Sequence, residues 1–446
     1  MLIDAIWDRI RGPACSTQAD HEASLRAFSD TVAVALAGWF EPVAVAARSY
    51  AGLEGWMLMN DPGAASPEMM AFAMATAGHA LDYDDVHLVS VTHPSVVIIP
   101  ALAALRRSHG VLQSVTDSHG VGVSVNIALG RLLGFDHYER GWHATSTIGP
   151  IAAAAAGCHL FGLDERTTRS ALSLAASQSA GMQGNFGSMA KSIQAGNAAA
   201  AAVRAVHLAA AGVTGAEDIF GAGGFDTLYG GSQEGQIEMA AADVHSVSHK
   251  LFPCCYAAHR IIGAAFELRG QMPEAFGPSI FTRISLALPY ETLQPLRIVS
   301  PKSGYEAKFC ASYILATALL TGSVNLSDFT DESIERPDIV NLMRIIEVRD
   351  DRASGRPLLS LDDGTVEIVA GLADGQTVLA TCATFPGSPK APPTAAQIQL
   401  KLDDCATVFA RASGTSMSRH DIIGHVTELV GPTTSSDRRA QQIEIA

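Results

Sequence analysis

The sequence is poor in charge. Only 17% of its 446 residues are Asp, Glu, Lys or Arg, against roughly 25% in an average globular chain. Lys and Arg number 30 and Asp and Glu 45, a formal charge of −15. That balance lacks the clustered cations a broad nucleic-acid surface needs, although a few buried cations can still make a local pocket for a small anion. The seven cysteines (Cys15, Cys158, Cys254, Cys255, Cys310, Cys382 and Cys405) contain no C-x-x-C pair. Their odd number and wide spacing argue against a disulfide framework and against a structural zinc site. No run reaches the roughly twenty strongly apolar residues of a membrane span; the most lipid-like stretch, Ile148–Gly162, is alanine-dominated and contains His159. Asp4 and Asp8 stand where a secretory signal needs bare apolar residues. The expectation is a soluble, cytoplasmic protein with neither a membrane nor a nucleic-acid partner.

What the chain has is apolar material, 48% of it, much of it alanine. At this length one compact core gives way to two domains, or to a large helical body with an insertion. Up to about residue 245 the apolar and small residues recur at helical spacing, over Leu25–Trp39, Pro67–Leu81, Val97–Arg107, Thr145–Phe161, Glu165–Ser179 and Ile193–Ala211. Ser66 before Pro67 and Asp164 before Glu165 are the expected N-caps. Alanine- and glycine-rich helices have thin walls and pack closely, and no repeat recurs at a fixed period. The pattern then changes. Ser279–Leu288 alternates as a half-exposed strand does. Helices are expected over Tyr305–Leu320 and near Pro337–Ile345, and strands over Ile346–Arg349, Thr365–Ala370 and Gln376–Thr384. The last two strands are joined through Asp374-Gly375, a tight-hairpin dipeptide. Pro386–Pro393 reads as a linker, helical patterning resumes at Ala395–Phe409, and the last ten or so residues are expected to fray. The fold expected is therefore mostly α. A large all-helical domain is built from both chain ends (residues 1–247 and 388–446), with an α+β domain (248–387) carrying a small antiparallel sheet inserted between them.

Four clusters carry chemistry. The first runs from His79 through Asp82, Asp84, Asp85 and His87 to Thr92-His93-Pro94-Ser95. It reads as a solvated loop, as a metal site, or as acid–base machinery in which an Asp orients a His to work near neutral pH. His87 and His93 are six apart and no HExxH pair is present, which weighs against the metal. The second, Gly141-Trp142-His143-Ala144-Thr145-Ser146-Thr147, opens a long apolar helix, whose N-terminal amides are natural anion acceptors. The third, Asn185-Phe186-Gly187-Ser188-Met189-Ala190-Lys191, fails as a phosphate loop because Ala190 stands where the glycine before the lysine is required. Lys191 is isolated, with no acid between Glu165 and Glu217 to pair with it; it is either a snorkelling surface lysine or an anion anchor. The fourth, from His249-Lys250 through Phe252, Pro253, Cys254, Cys255 and Tyr256 to His259-Arg260, sits where the pattern changes. It reads as hinge packing or as part of a ligand site between domains.

In this order, HALDYDD…THPS, GWHATSTIG, NFGSMAKSIQAGNAA, KLFPCCYAAH and YEAKF resemble the MmgE/PrpD family, which includes 2-methylcitrate dehydratases, cis-aconitate decarboxylases and iminodisuccinate epimerase. The resemblance covers nearly the whole chain. It implies a helical domain with an α+β lid, a homodimer, a small polycarboxylate substrate, and neither metal nor organic cofactor. It also implies that Asp82 and His93 belong to the active site, with His93 moving the proton and His143, Lys191 and Lys250 lining the pocket. Asp85, Cys255, Tyr256 and His259 are the candidate substrate contacts beside them. The chemistry fits: cations that hold substrate carboxylates also stabilise the enolate-like charge as it develops, and a neutral His base does not repel an anionic substrate. Val86 stands where decarboxylase and dehydratase relatives tend to have Thr. Cys255 stands where decarboxylases have His, and Pro295–Arg297 where they have Tyr. The FPCCYAAH segment and the run from EAKF to ERPD are most similar to iminodisuccinate epimerase. An isomerase or lyase that abstracts a proton α to a carboxylate is expected, with epimerisation ranked above dehydration and both above decarboxylation. In an epimerase Tyr256, Cys255 or Lys250 would supply the opposite-face proton. A homologue that binds carboxylates without turnover is the non-enzyme alternative.

Overall fold

The computed structural model describes residues 1–12, 17–53, 65–108, 112–221, 223–231, 239–273, 276–289, 295–351 and 364–431. Cys15 and the chain end expected to fray lie outside the described residues. The chain divides into two units: 1–184, 190–249 and 394–446 form the first, and 185–189 with 250–393 the second.

The first unit holds α1 (Leu2–Arg11), α2 (Gln18–Ala37), α3 (Pro42–Ala51), α4 (Pro67–Ala80), α5 (Ser95–Ser108), α6 (Val115–Glu139), α7 (Ala144–Phe161), α8 (Glu165–Ala176), α9 (Ala190–Ala210) and α10 (Phe225–Tyr229). Ser66 caps α4 by accepting from the Met69 amide, and Asp164 caps α8 by accepting from Thr167. Small residues let these helices approach closely. Ala152–Ala156 of α7 is fully buried. Gly196 of α9 lies so near α4 that a Cβ there would fall 2.2 Å from Thr76 Oγ1 and 2.7 Å from the Phe72 carbonyl oxygen. That contact brings the start of α9, with Lys191, to the end of α4, with His79; Ser192 Oγ donates to the His79 carbonyl at 3.2 Å. Among the described residues no single helix is long and apolar enough to cross a membrane.

The loop after α4 is clamped onto α6. His87 and Thr92 close a backbone bridge, Thr92 Oγ1 donates to Asn126 Oδ1 at 2.6 Å, and Ser90 Oγ meets His87 Nδ1 at 2.8 Å. Gly130 makes this approach possible: a Cβ there would lie 2.0 Å from Ser90 Cβ and 2.5 Å from Ser90 Cα. Gly130→Ala must push the loop backbone away, an overpacking cost of about 1–3 kcal/mol. It is expected to lower Tm by several degrees and to reduce activity through the displaced loop. Gly424→Ala, in a helix with nothing within 4 Å, is the control and is expected to leave both unchanged or to raise Tm slightly. Equal Tm values for the two variants would refute the clamp.

The second unit contains α11 (His259–Gly270), β1 (Phe281–Pro289), α12 (Gly304–Ala307), α13 (Ala311–Thr321), α14 (Pro337–Met343), β2 (Ile346–Asp351), β3 (Val366–Leu372) and β4 (Thr377–Cys382). The chain then returns to the first unit as α15 (Ala395–Ser413) and α16 (Arg419–Val430). The sheet order is β2-β1-β3-β4. The β3–β4 hairpin is antiparallel, with Gly375 at φ +87° in its turn. The expectation of a wholly antiparallel sheet is corrected, because β1 pairs with β2 in parallel, Ile284 opposite Ile346. The connection between them carries α12, α13 and α14, and a crossover of that length returns the chain to the same end of the sheet. The single helix expected over Tyr305–Leu320 is also two. Lys308 ends α12 and reaches out to the Pro253 carbonyl at 2.9 Å, and Cys310 is extended. Beneath the sheet α11 and α13 bury Ile261, Ile262, Leu268, Tyr313, Ile314 and Leu319 against Ile284, Leu286, Val366 and Ile368.

Candidate active site

The end of α4 and the loop beyond it place three carboxylates in three different environments. Asp82 adopts φ +51°, a left-handed conformation that costs a non-glycine residue about 1–2 kcal/mol and that Asp tolerates better than most. Its side chain pairs with the Lys191 ammonium, both groups nearly inaccessible to solvent. The acid missing from the neighbourhood of Lys191 in sequence thus arrives from 109 residues away. Lys191 is a buried, paired cation and not a surface lysine.

Asp84 is the hub. Its Oδ2 lies 2.8 Å from His79 Nδ1 and 3.2 Å from His93 Nδ1. Burial pushes its carboxyl up, but the two imidazoles overcome this and hold its pKa well below the usual carboxylate range. His93 Nδ1 is also 2.9 Å from the Asp85 carbonyl oxygen. Both of these neighbours accept hydrogen bonds, so Nδ1 carries the hydrogen, and in the neutral ring Nε2 keeps the lone pair. Thr145 Oγ1, at the start of α7, accepts from the His93 amide at 3.0 Å.

Asp85 acts on His93 through its backbone. Its own carboxylate is fully buried, with Oδ1 accepting from the Ser95 amide at 3.1 Å. Burial raises its pKa to about 7, with the charges of Asp30 and Asp84 adding to the shift and hydrogen bonds from Ser95 opposing it.

His143 is held by a different acceptor. Gln194 Oε1 lies 2.7 Å from its Nδ1 and also accepts from the Met182 amide at 3.2 Å, while Gln194 Nε2 donates to the Met182 carbonyl at 3.2 Å. That pattern fixes the amide orientation, so His143 Nδ1 carries the hydrogen and Nε2 is again the bare nitrogen. Burial drives the His143 and His79 pKa values down, His143 further under the influence of His79 and Lys191. The His79 ring is stacked 5.7 Å from His143 and edge-on 4.7 Å from His93. The hydroxyls at the mouth of α7 are internally engaged: Ser146 Oγ donates to the Gln194 carbonyl and Thr147 Oγ1 meets His137 Nε2.

Within the first unit the structure therefore gathers Asp82, His93, His143 and Lys191 around His79, Asp84 and Gln194. Lys250, Cys255, Tyr256 and His259 belong to the second unit. There Lys250 is fully buried, Cys254 and Cys255 are free thiols, and Tyr256 stacks on Phe385 at 4.6 Å and meets the His259 ring at 4.6 Å. The Cys255 amide donates to the Lys308 carbonyl, and His259 Nε2 lies 3.1 Å from the Phe252 carbonyl oxygen. The site residues that sequence reasoning passed over are His79, Asp84 and Gln194. The first two were visible as members of a cluster, whereas nothing in its sequence context marks Gln194.

His79, Asp84 and His93 each offer one ligand atom, all within 4.8 Å of one another, as a metal site would. Each ring turns its Nδ1 toward a protein oxygen, and a nitrogen that carries hydrogen has no lone pair for an ion, so only the Nε2 atoms could serve as ring ligands. The arrangement fits a hydrogen-bonded His–Asp–His group.

Comparison with known proteins finds two family models along the chain. The model of the MmgE/PrpD N-terminal domain matches residues 14–237, and that of the MmgE/PrpD C-terminal domain matches 252–421. The cis-aconitate decarboxylase of Mus musculus is 27% identical over 385 residues, covering 82% of this chain and 75% of that protein. The cis-aconitate decarboxylase of Homo sapiens is 27% identical over 382 residues, covering 82% and 76%. A cis-aconitate decarboxylase-like protein of Aspergillus oryzae is 28% identical over 309 residues, covering 62% and 63%. The chain belongs to the MmgE/PrpD family of enzymes.

Proposed function

We infer that this enzyme transfers a proton at the carbon α to a carboxylate of a small di- or tricarboxylic acid, with His93 Nε2 as the base. The observation that carries this reading is the His93 ring whose Nδ1 is tied to Asp84 and to the Asp85 carbonyl, in the same group of side chains as the Lys191 cation. A neutral imidazole beside a fixed cation is suited to a carbon acid: the cation holds the substrate carboxylate and meets the negative charge that develops on it. Buried polar atoms also await a polar ligand. Among the described residues His79 Nε2 and Asp84 Oδ1 have no hydrogen-bond partner, a costly state for the free protein.

The finer reading is epimerisation of the iminodisuccinate type, with dehydration second. Both need two proton-transfer groups, and here two imidazoles, His93 and His143, have their tautomers fixed by separate acceptors. Epimerisation returns a proton to the opposite face, and dehydration expels a β-hydroxyl. The decarboxylation named for the relatives would instead run an electron pair out of a C–CO2 bond and protonate the carbanion. Proton NMR in D2O separates these. The enzyme is incubated with iminodisuccinate stereoisomers, 2-methylcitrate, citrate and cis-aconitate, beside His93→Ala. Loss of an α-proton signal with the wild type alone is the expected result, and the product spectrum then distinguishes epimer, alkene and decarboxylated acid. Exchange that persists in His93→Ala would remove His93 from the mechanism.

A further inference from the structure

Tyr83 lies between Asp82 and Asp84, and its carbonyl is held by a residue from the far end of the chain. Lys401 of α15 donates from Nζ to the Tyr83 carbonyl oxygen at 2.7 Å, with Nζ also 4.2 Å from the Tyr83 ring centroid. The same ammonium pairs with Asp30 of α2 at 2.5 Å, the two side chains only 4% and 8% exposed. A buried ion pair is weak support for a fold, since an apolar pair of the same shape serves as well or better. What the lysine adds is direction: a charged donor, anchored by Asp30, aimed at one carbonyl of the loop. On one side of that carbonyl, Asp82 leaves the helix in a left-handed conformation and reaches Lys191. On the other, Asp84 reaches His79 and His93. A peptide plane that rotates at Tyr83 swings both carboxylates.

We propose that Lys401 is a positioning residue for the reaction: its hydrogen bond to the Tyr83 carbonyl sets the turn that aims Asp82 at Lys191 and Asp84 at His93. The assignment deepens the proton-transfer reading above and rests on it. Lys401 contacts Asp30 and Tyr83, and its effect reaches the reacting groups through the backbone.

The test separates positioning from simple support. Lys401→Met alone leaves Asp30 buried without its partner and is expected to lower both Tm and kcat. Lys401→Met/Asp30→Asn removes both charges; its Tm is expected to recover to within a few degrees of wild type. Its kcat is expected to stay down roughly 30- to 100-fold, with KM within about threefold. Lys401→Arg, which keeps a charged donor beside Asp30, is expected to hold kcat within about fivefold. Long-range nitrogen–proton spectra of the 15N-histidine-labelled proteins are expected to show His93 as the Nδ1–H tautomer in wild type and as a mixture in the double variant. Wild-type kcat in the double variant would reduce the lysine to a structural ion pair and overturn the proposal. So would an unchanged histidine spectrum, a readout that needs no substrate. If wild type exchanges no α-proton on any acid, the functional reading falls, and the histidine spectrum still decides the role of Lys401.

Discussion

His93→Ala is expected to lower kcat by roughly a thousandfold while leaving KM within a few-fold and the fold intact. A positioned general base contributes about 10²- to 10⁴-fold; the His93 side chain is only 13% exposed, so Tm measured beside kcat separates lost chemistry from lost packing. Asp84→Asn is expected to cost nearly as much for a different reason. The carboxylate accepts from two imidazoles through one oxygen; an amide oxygen in that place still accepts from both but lacks the negative charge that stabilises the imidazolium formed when His93 takes the proton. Loss of the orienting carboxylate in a hydrolase triad, with geometry intact, costs about 10⁴ in kcat. Here roughly 10²- to 10³-fold is expected, since the Asp85 carbonyl still accepts from His93 Nδ1. If Asp84 works through His93, the double variant is no slower than His93→Ala alone, because residues that act as a unit are not additive. Steady-state kinetics on the four proteins, with Tm measured beside them, decides it. A double variant slowed by the product of the two single effects would mean that Asp84 acts on its own.

The distance between sequence and site is visible in these residues. Helices with caps and strong periodicity were legible: Pro67–Leu81 is α4 to within a residue, and the hairpin through Asp374-Gly375 is where its turn chemistry puts it. Strand partnership was not. The β1–β2 pairing joins residues some sixty apart in sequence, and alternation within a strand carries no information about which neighbour it meets or in which direction. The same holds for side chains. A run with Asp at 82, 84 and 85 shows that carboxylates are concentrated, but their separate tasks depend on a left-handed turn at Asp82 that no local pattern demands. Lys191 stood out because it had no acid nearby, and its partner is a long-range one. Gln194 and Lys401 offered no signal at all, one a neutral amide in a helix and the other a lysine among charged residues of α15.

Acid is expected to unfold the protein in a range that most globular proteins tolerate. Burial is the leading cause of three large histidine shifts, from the ordinary 6.5 to about 3 for His87, about 3 for His119 and about 4 for His137. These rings stay neutral in the folded chain down to about pH 4, whereas the unfolded chain takes up a proton at each below 6.5. The stability they contribute is therefore complete above pH 6.5 and is lost as the pH falls. Asp85 works the other way. Its folded carboxyl keeps a proton up to about pH 7, so below that pH the folded state gains one proton relative to the unfolded one until both are protonated near 3.8. Three protons against one leave the unfolded state binding about two more than the folded state between pH 4.5 and 6. At 1.36 kcal/mol per proton per pH unit this is a slope of about 3 kcal/mol for each unit of acidification. His79 and His143 are lowered in the same direction and steepen it. Neutralising part of the −15 charge relieves surface repulsion, but salt screens that term and it does not reach the buried rings. Against a total stability of about 5–15 kcal/mol, the loss of one to two pH units is decisive. Calorimetric Tm measured at pH 7, 6 and 5 in one salt concentration is expected to fall progressively faster, and a Tm that holds steady from pH 7 to 5 would mean the buried histidines are charged in the fold.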